Sequence, residues 1–170
     1  MFVPKLVLGI DPGLSRCGYG AVRVEGSMST AVAAGILTTP TYVSLPERLA
    51  QLHGDLESLL DELEPHIVAV ERVFFQTNVR TAMSVGQASG LALALAQQAG
   101  CEVVQYTPTE VKMCITGYGA ATKEQMQRMV QTQLHLETLP EPPDAADALA
   151  LALCHASFIN RNARLAKVGA

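Results

Sequence analysis

Four carboxylates stand where they can act together. Asp11 closes the apolar run KLVLGID (5–11), and Glu71 closes IVAVE (67–71). Ligand sites in open α/β sheets lie at the carboxyl ends of strands. If these two strands are parallel neighbours, about 4.8 Å apart, both acids meet on one sheet edge. Asp144 and Asp147 are three residues apart, so they share one face of a helix. They fall in its first turns, where the dipole favours the ionised form. Taken singly, an Asp in Asp-Pro-Gly also serves as a turn residue, and Asp144 and Asp147 also fit as helix-start acids. Glu71 is harder to explain that way, because an acid closing an apolar strand is costly if buried alone. All four fall at element ends that can face one edge. Clustered carboxylates repel, and an all-oxygen set selects hard cations such as Mg²⁺ or Mn²⁺. Two such ions about 3.5–4 Å apart clamp the attacking and leaving oxygens of a phosphodiester, the logic of metal-dependent nucleases.

The elements that must position these acids follow from pattern and punctuation. After the first strand come GYGAVRVE (18–25), a turn at Glu25-Gly26-Ser27, and a third run over 28–39, which read as hairpin partners. Ser44 with Glu47 is a capping box that opens a helix, its apolar stripe running from Leu49 to Leu63 until Pro65 stops it. A long helix covers about 78–99 and ends at Gly100; a strand follows over 101–106. Thr107 with Glu110 and Thr122 with Gln125 are two more capping boxes. Pro142-Pro143 launches a last helix from Asp144 to about Asn160, with a loose, basic, disordered tail expected over 161–170. The order, three strands, then α, β, α, β, then helices, gives one α/β domain over 1–160 with a mixed central sheet and helices on both faces.

Composition narrows the class. The 170 residues suit one domain. At 49 % hydrophobic and 16 % charged the chain is not disordered, and its net charge of −4 excludes a uniformly basic nucleic-acid binder. Setting the four acids aside, acids and bases balance at twelve each. The rest is uneven: six acids and one Arg from Glu47 to Glu64, five bases and three acids from Arg72 to Arg128, and only bases (Arg161, Arg164, Lys167) after Asp147. A metal-filled site with basic flanks can hold a polyanion. Cys17, Cys101, Cys114 and Cys154 form no C-x-x-C pair and read as reduced packing residues of a cytoplasmic protein. No signal peptide or membrane span is visible, since the most apolar stretch, 79–99, carries Arg80 and several polar residues.

LGIDPGLSRCGYG (8–20), VERVFF (70–75), VGQASG (85–90), VKMCITGYGAATKEQM (111–126) and PPDAADALALALCHA (142–156) together resemble the RuvC family of Holliday-junction resolvases, in order and spacing, nearly to residue 160. The resemblance implies a ribonuclease-H-like fold. It also implies a homodimeric, structure-selective endonuclease that resolves four-way junction DNA in recombination and repair by paired nicks leaving 5′-phosphate and 3′-hydroxyl ends. By position, Asp11, Glu71, Asp144 and Asp147 match its four acidic metal ligands, for about two Mg²⁺ or Mn²⁺ ions. Lys112 and Lys123 match its DNA-contacting, catalysis-supporting lysines; Lys123 also falls in a first helical turn, where a phosphate is favoured and a bare cation is not. Phe74 matches an aromatic placed against unstacked bases, whereas composition alone reads Phe74 and Phe75 as a core lid. Tyr118 and Arg80 are further DNA-contact candidates. The family works with the RuvA and RuvB branch-migration proteins.

Ala82, Gly86, Gly90 and Ala94 recur every four residues, a strip that suits packing on the chain's own sheet or a dimer seam. Two positions depart from the family pattern. GQASG around Ser89 lacks an expected basic residue, and Arg72 stands where a neutral polar residue is common, which redistributes DNA contacts along this helix. His155 lies about 12 Å along the helix from Asp147, too far to share its ion, and reads as structural. Competing readings are an actin-like ATPase or kinase, which needs two lobes, a catalytically inert junction binder, which would not need four acids, and a ribonuclease-H-like enzyme acting on RNA.

Overall fold

The computed structural model describes residues 3–73 and 79–168, with five strands and five helices among them. The strands are β1 (Lys5–Asp11), β2 (Arg16–Glu25), β3 (Met28–Thr38), β4 (Ile67–Glu71) and β5 (Glu102–Tyr106). The helices are α1 (Leu45–Leu63), α2 (Val79–Gln98), α3 (Pro108–Thr116), α4 (Lys123–Gln133) and α5 (Pro143–Val168). The sheet order is β3-β2-β1-β4-β5. The first three strands form an antiparallel meander, and β4 and β5 join parallel to β1 through helical crossovers. β1 and β4 are therefore the parallel neighbours that the two acid-terminated runs require.

Helices cover both faces. On one, Leu8, Ile10, Val68 and Val70 pack with Leu52, Leu56 and Leu60 of α1 and Ala88, Ala92 and Leu95 of α2. On the other, Val7, Val22, Ile67 and Ala69 pack with α3, α4 and the alanine- and leucine-rich stretch of α5. The local signals act as expected. Glu47 accepts from the Ser44 N–H at 2.9 Å, Glu110 from the Thr107 N–H at 2.7 Å and Gln125 from the Thr122 N–H at 2.9 Å. Each box satisfies an otherwise orphaned first-turn donor.

The helix that carries Asp144 and Asp147 lies directly on strand backbone. A methyl group added at Gly9 would collide with the Ala148 carbonyl, one at Gly18 with the Asp144 carbonyl, and one at Gly20 would sit 2.6 Å from the Leu149 N. The absence of side chains at these positions lets α5 settle onto β1 and β2. Helix α5 also corrects the expected tail. It continues to Val168, and no glycine or proline interrupts 144–168. Arg161 in this extension lies 4.7 Å over the Phe158 ring. Among the described residues no helix is long and apolar enough to cross a membrane.

The close approach makes a stability prediction. Gly9→Ala and Gly18→Ala each force α5 off the sheet and should cost about 1–3 kcal/mol by overpacking. Gly86→Ala, where an added methyl meets nothing, should be neutral or slightly stabilising, because alanine is the better helix former. Urea denaturation midpoints of the three variants check this ordering.

Candidate active site

One cleft of about 340 Å³ gathers six of the residues singled out from the sequence. Asp11, Glu71, Asp144, Asp147, Lys112 and Lys123 all line it, with Val111, Met126, Ala150 and Leu151 as apolar wall. Asp11 sits at the end of β1 and Glu71 at the end of the parallel β4. Asp144 and Asp147 come from the first turns of α5, Lys112 from α3, and Lys123 from the first residue of α4.

Electrostatics mark these acids as a strained group. Burial, reinforced by the charges of Glu71, Asp147 and Asp144, pushes the Asp11 carboxyl up to about 8, against a smaller opposing pull from Lys123. Burial and Asp147 also raise Glu71, while Lys123 and Lys112 pull it down. The Lys123 ammonium, 3.3 Å from Asp147 Oδ2, is raised chiefly by that carboxylate. Its side chain is 77 % exposed, so the pair is screened and adds little stability.

A second cation sits on the acids that sequence reasoning missed. Arg16 Nε donates to Asp144 Oδ2 at 2.7 Å. The contact spans 128 residues, and only the β1–β2 register, with Asp11 opposite Gly18, brings the start of β2 to this edge. The available signal was a cation inside the short Pro12–Cys17 connection that follows an acid-terminated strand. Its turn is anchored from behind: Arg48 donates to Ser15 Oγ at 2.6 Å and to Thr39 Oγ1 at 3.0 Å, and Thr39 in turn donates to the Leu14 carbonyl.

The other candidates lie elsewhere. Tyr118 is 61 % exposed and lines a separate groove with Arg128 and Met129. Arg80 is exposed at the start of α2 and does not line the cleft. Phe74 and Phe75 fall outside the described residues. His155 lies farther along α5 and does not line the cleft; its Nδ1 lies 2.7 Å from the Tyr106 hydroxyl. Of the four-residue strip on α2, Ala82 is buried, but Gly86, Gly90 and Ala94 are exposed. That part of the strip does not pack on its own sheet, which Ala88, Ala92 and Leu95 contact instead.

The donor set fits a hard divalent cation. It is all carboxylate oxygen, crowded, and left with a proton on Asp11 near neutral pH by burial and the neighbouring acids. Among the described residues no three acid, histidine or cysteine side chains already surround a single point closely enough to coordinate. Asp144 is paired with Arg16 and Asp147 with Lys123.

Comparison with known proteins decides the family. The model of crossover junction endodeoxyribonuclease RuvC matches residues 7–155. The chain belongs to the RuvC family. The RuvC of Chloroflexus aggregans is 51 % identical over 149 residues, covering 88 % of this chain and 91 % of that protein. The RuvC of Rubrobacter xylanophilus is 48 % identical over 165 residues, covering 97 % and 92 %. The structure of Thermus thermophilus RuvC in complex with a Holliday-junction substrate superposes with a TM-score of 0.86 at 36 % identity, over 94 % of this chain and 97 % of that one. The yeast mitochondrial resolvase Ydc2, at 14 % identity and a TM-score of 0.65, shares the fold. The ribonuclease-H-like architecture expected from the sequence is thus the family's own.

The raised Asp11 carboxyl makes stability depend on pH in a defined direction. A group whose folded pKa exceeds its unfolded value stabilises fully below the unfolded value, near 3.8 here, and that contribution is lost as pH rises through the folded value near 8. Without divalent metal, the melting temperature should fall between pH 5 and pH 8.5, and Asp11→Asn should flatten the slope. Ca²⁺ should restore stability most at the alkaline end, where binding displaces no proton. Calorimetry in chelator, across this pH range, reads all three outcomes.

Proposed function

We propose that this chain is a divalent-metal-dependent endodeoxyribonuclease that resolves four-way DNA junctions in recombination and repair. The observation that carries the reading is the convergence of Asp11, Glu71, Asp144 and Asp147, from three separate elements, in one cleft with Lys112 and Lys123 at its wall. Family membership supplies the substrate class. The four acids are the ligands, for two Mg²⁺ or Mn²⁺ ions per site. When bound, such ions supply Lewis acids for the phosphate oxygens and for the attacking water. The chain's own residues do the rest. The cleft wall from Val111 to Leu151 limits water, and Asp144 and Asp147 are fixed in spacing by their shared helix. Lys112 and Lys123 offer positive charge where negative charge develops in the transition state. The products carry 5′-phosphate and 3′-hydroxyl ends. Phe74, Tyr118 and Arg80 are assigned lesser roles in DNA contact, the aromatics by base stacking worth about 1–3 kcal/mol per base. The protein works in the cytoplasm with the RuvA and RuvB branch-migration proteins.

Asp147→Asn and Glu71→Gln should each abolish nicking of a mobile four-way junction while preserving folding and junction binding. Both changes are nearly isosteric and relieve repulsion. Excess chelator should do the same to the native protein, and Mg²⁺ or Mn²⁺ should restore cutting. A linear duplex and an RNA–DNA hybrid should be cut at least about tenfold more slowly than the junction. Gel shift beside a nicking assay tests all of these; preferential cutting of the hybrid would transfer the enzyme to RNA.

Two matched nicks on a two-fold junction require two sites related by that symmetry, hence a homodimer. The exposed face of α2 supports this. Val79 and Met83 are 72 % and 59 % exposed, and Gly86, Gly90 and Ala94 continue the same face. A Cβ added at Gly90 meets nothing within 4 Å among the described residues, so Gly90→Leu should fold normally yet give monomers that nick one strand and lose paired cutting. Light scattering with a two-strand cleavage assay reads the outcome; an intact dimer would move the seam elsewhere.

A further inference from the structure

Arg16 is aimed by its strand. Side chains alternate across a sheet, so Arg16 and Gly18 share one face of β2 and Cys17 takes the other. Cys17 is wholly buried in the core beneath α1 and α2. Gly18 lies under the first turn of α5, where an added Cβ would strike the Asp144 carbonyl. Arg16 therefore points to the α5 face, two residues from that close approach, and its Nε reaches Asp144 Oδ2 at 2.7 Å.

The turn that carries Arg16 is held without its side chain. The Thr39 N–H donates to the Ser15 carbonyl at 3.3 Å, and the Thr39 hydroxyl donates to the Leu14 carbonyl. Arg48 donates to Ser15 Oγ at 2.6 Å and to Thr39 Oγ1 at 3.0 Å. Leu14 and Thr39 are buried. The Arg16–Asp144 pair adds little to stability either, because half of the arginine side chain is exposed and the pair is screened. Folding thus accounts for the turn and not for the cation on it.

The guanidinium is engaged on one edge only. Nε is on Asp144, and among the described residues no other hydrogen bond or ion pair holds its Nη groups. A guanidinium carries five N–H donors in a planar fork, and two of them match two oxygens of a phosphate. Its position also differs from that of the lysines. Lys112 and Lys123 line the cleft from α3 and α4, whereas Arg16 does not line it. Arg16 stands beyond Asp144, on β2, which β1 separates from β4 and its Glu71. A strand laid over the acids would have the lysines on one side and the arginine on the other.

We propose that Arg16 is a substrate-positioning residue: its Nε holds Asp144, and its Nη pair receives a backbone phosphate flanking the one that is cut. The proposal rests on the nuclease reading above for the nature of that strand. One planar group then fixes an acid of the site and the DNA relative to each other. A lysine at this position could serve either partner but not both, because its ammonium is a point charge on a flexible stem.

The test measures binding by fluorescence anisotropy in chelator, where nothing is cut. The ligands are four-way junctions in which each phosphate near the nick is replaced in turn by a neutral methylphosphonate. At one or two flanking positions the native protein should lose about fivefold or more in affinity, and Arg16→Ala should lose nothing further there. Arg23→Ala removes the same charge from an exposed residue farther along β2 and should keep the native pattern. Arg16→Ala should also flatten the plot of log affinity against log salt by about 0.9, the share of one phosphate. With Mg²⁺ and saturating protein, single-turnover cutting should fall about tenfold or more in both Arg16→Ala and Arg16→Lys. Arg16→Lys should keep most of the salt slope. Identical responses of Arg16→Ala and the native protein at every phosphate would overturn the DNA contact. Native cutting by Arg16→Lys would overturn the double role. A large fall in the melting temperature of Arg16→Ala would make the arginine structural and overturn the proposal as well. A native protein that cuts no junction would sink the nuclease reading instead, since the phosphate scan reads Arg16 without any cutting.

Discussion

The structure depends on how closely the backbone of α5 lies on β1 and β2. Hydrophobic burial holds a helix on a sheet at any distance its side chains allow, and ordinary side chains here would keep it several ångströms higher. Gly9, Gly18 and Gly20 remove that spacer beneath Ala148, Asp144 and Leu149. The first turn of α5 then sits at the height of the strand ends, and Asp144 and Asp147 enter the cleft that Asp11 and Glu71 already line. The buried alanines of α5, from Ala145 to Ala156, answer the same constraint from the helix side. The packing that stabilises the domain is therefore also what crowds four carboxylates together, and the cost of that crowding appears in the raised Asp11 and Glu71 groups.

Much of this was legible because the signals are local. A capping box is a contact between positions three apart, and all three boxes formed. A carboxylate that ends an apolar run marks a strand's carboxyl end, and the i, i+3 spacing of Asp144 and Asp147 places both on one face. These rules need no knowledge of the partner element. The parallel pairing of β1 and β4 was a condition of that reading, and the structure meets it.

What was not legible depends on partners distant in sequence. Arg16 was not singled out, because its tie to Asp144 exists only once the β1–β2 register and the α5 approach are both known. Glycines in β1 and β2 weaken a strand when read locally, and their use appears only with a helix backbone above them. The four-residue strip on α2 showed which residues were small but not which way they faced; the structure turns Gly86, Gly90 and Ala94 outward. The last helix was expected to end at about Asn160, with a loose tail after it. Fading hydrophobicity does not end a helix, which here runs on through Val168.

The charge on the cleft explains how a chain with a net charge of −4 can receive DNA. Most of the surplus acid lies on α1, across the sheet from α3, α4 and α5. Around the cleft stand four carboxylates and three cations, Arg16, Lys112 and Lys123. With Asp11 protonated, as its raised pKa requires near neutral pH, acids and bases there cancel. A neutral cleft neither repels a phosphate strongly nor holds it. A divalent ion in place of the Asp11 proton would leave one net positive charge there. The sign of the field that a DNA strand meets is thus set by ion loading more than by the count of basic residues. An ion held by Asp144 and Asp147 would compete for those carboxylates with Arg16 and Lys123. Both side chains are at least half exposed, so both can turn toward a phosphate at the rim of the site.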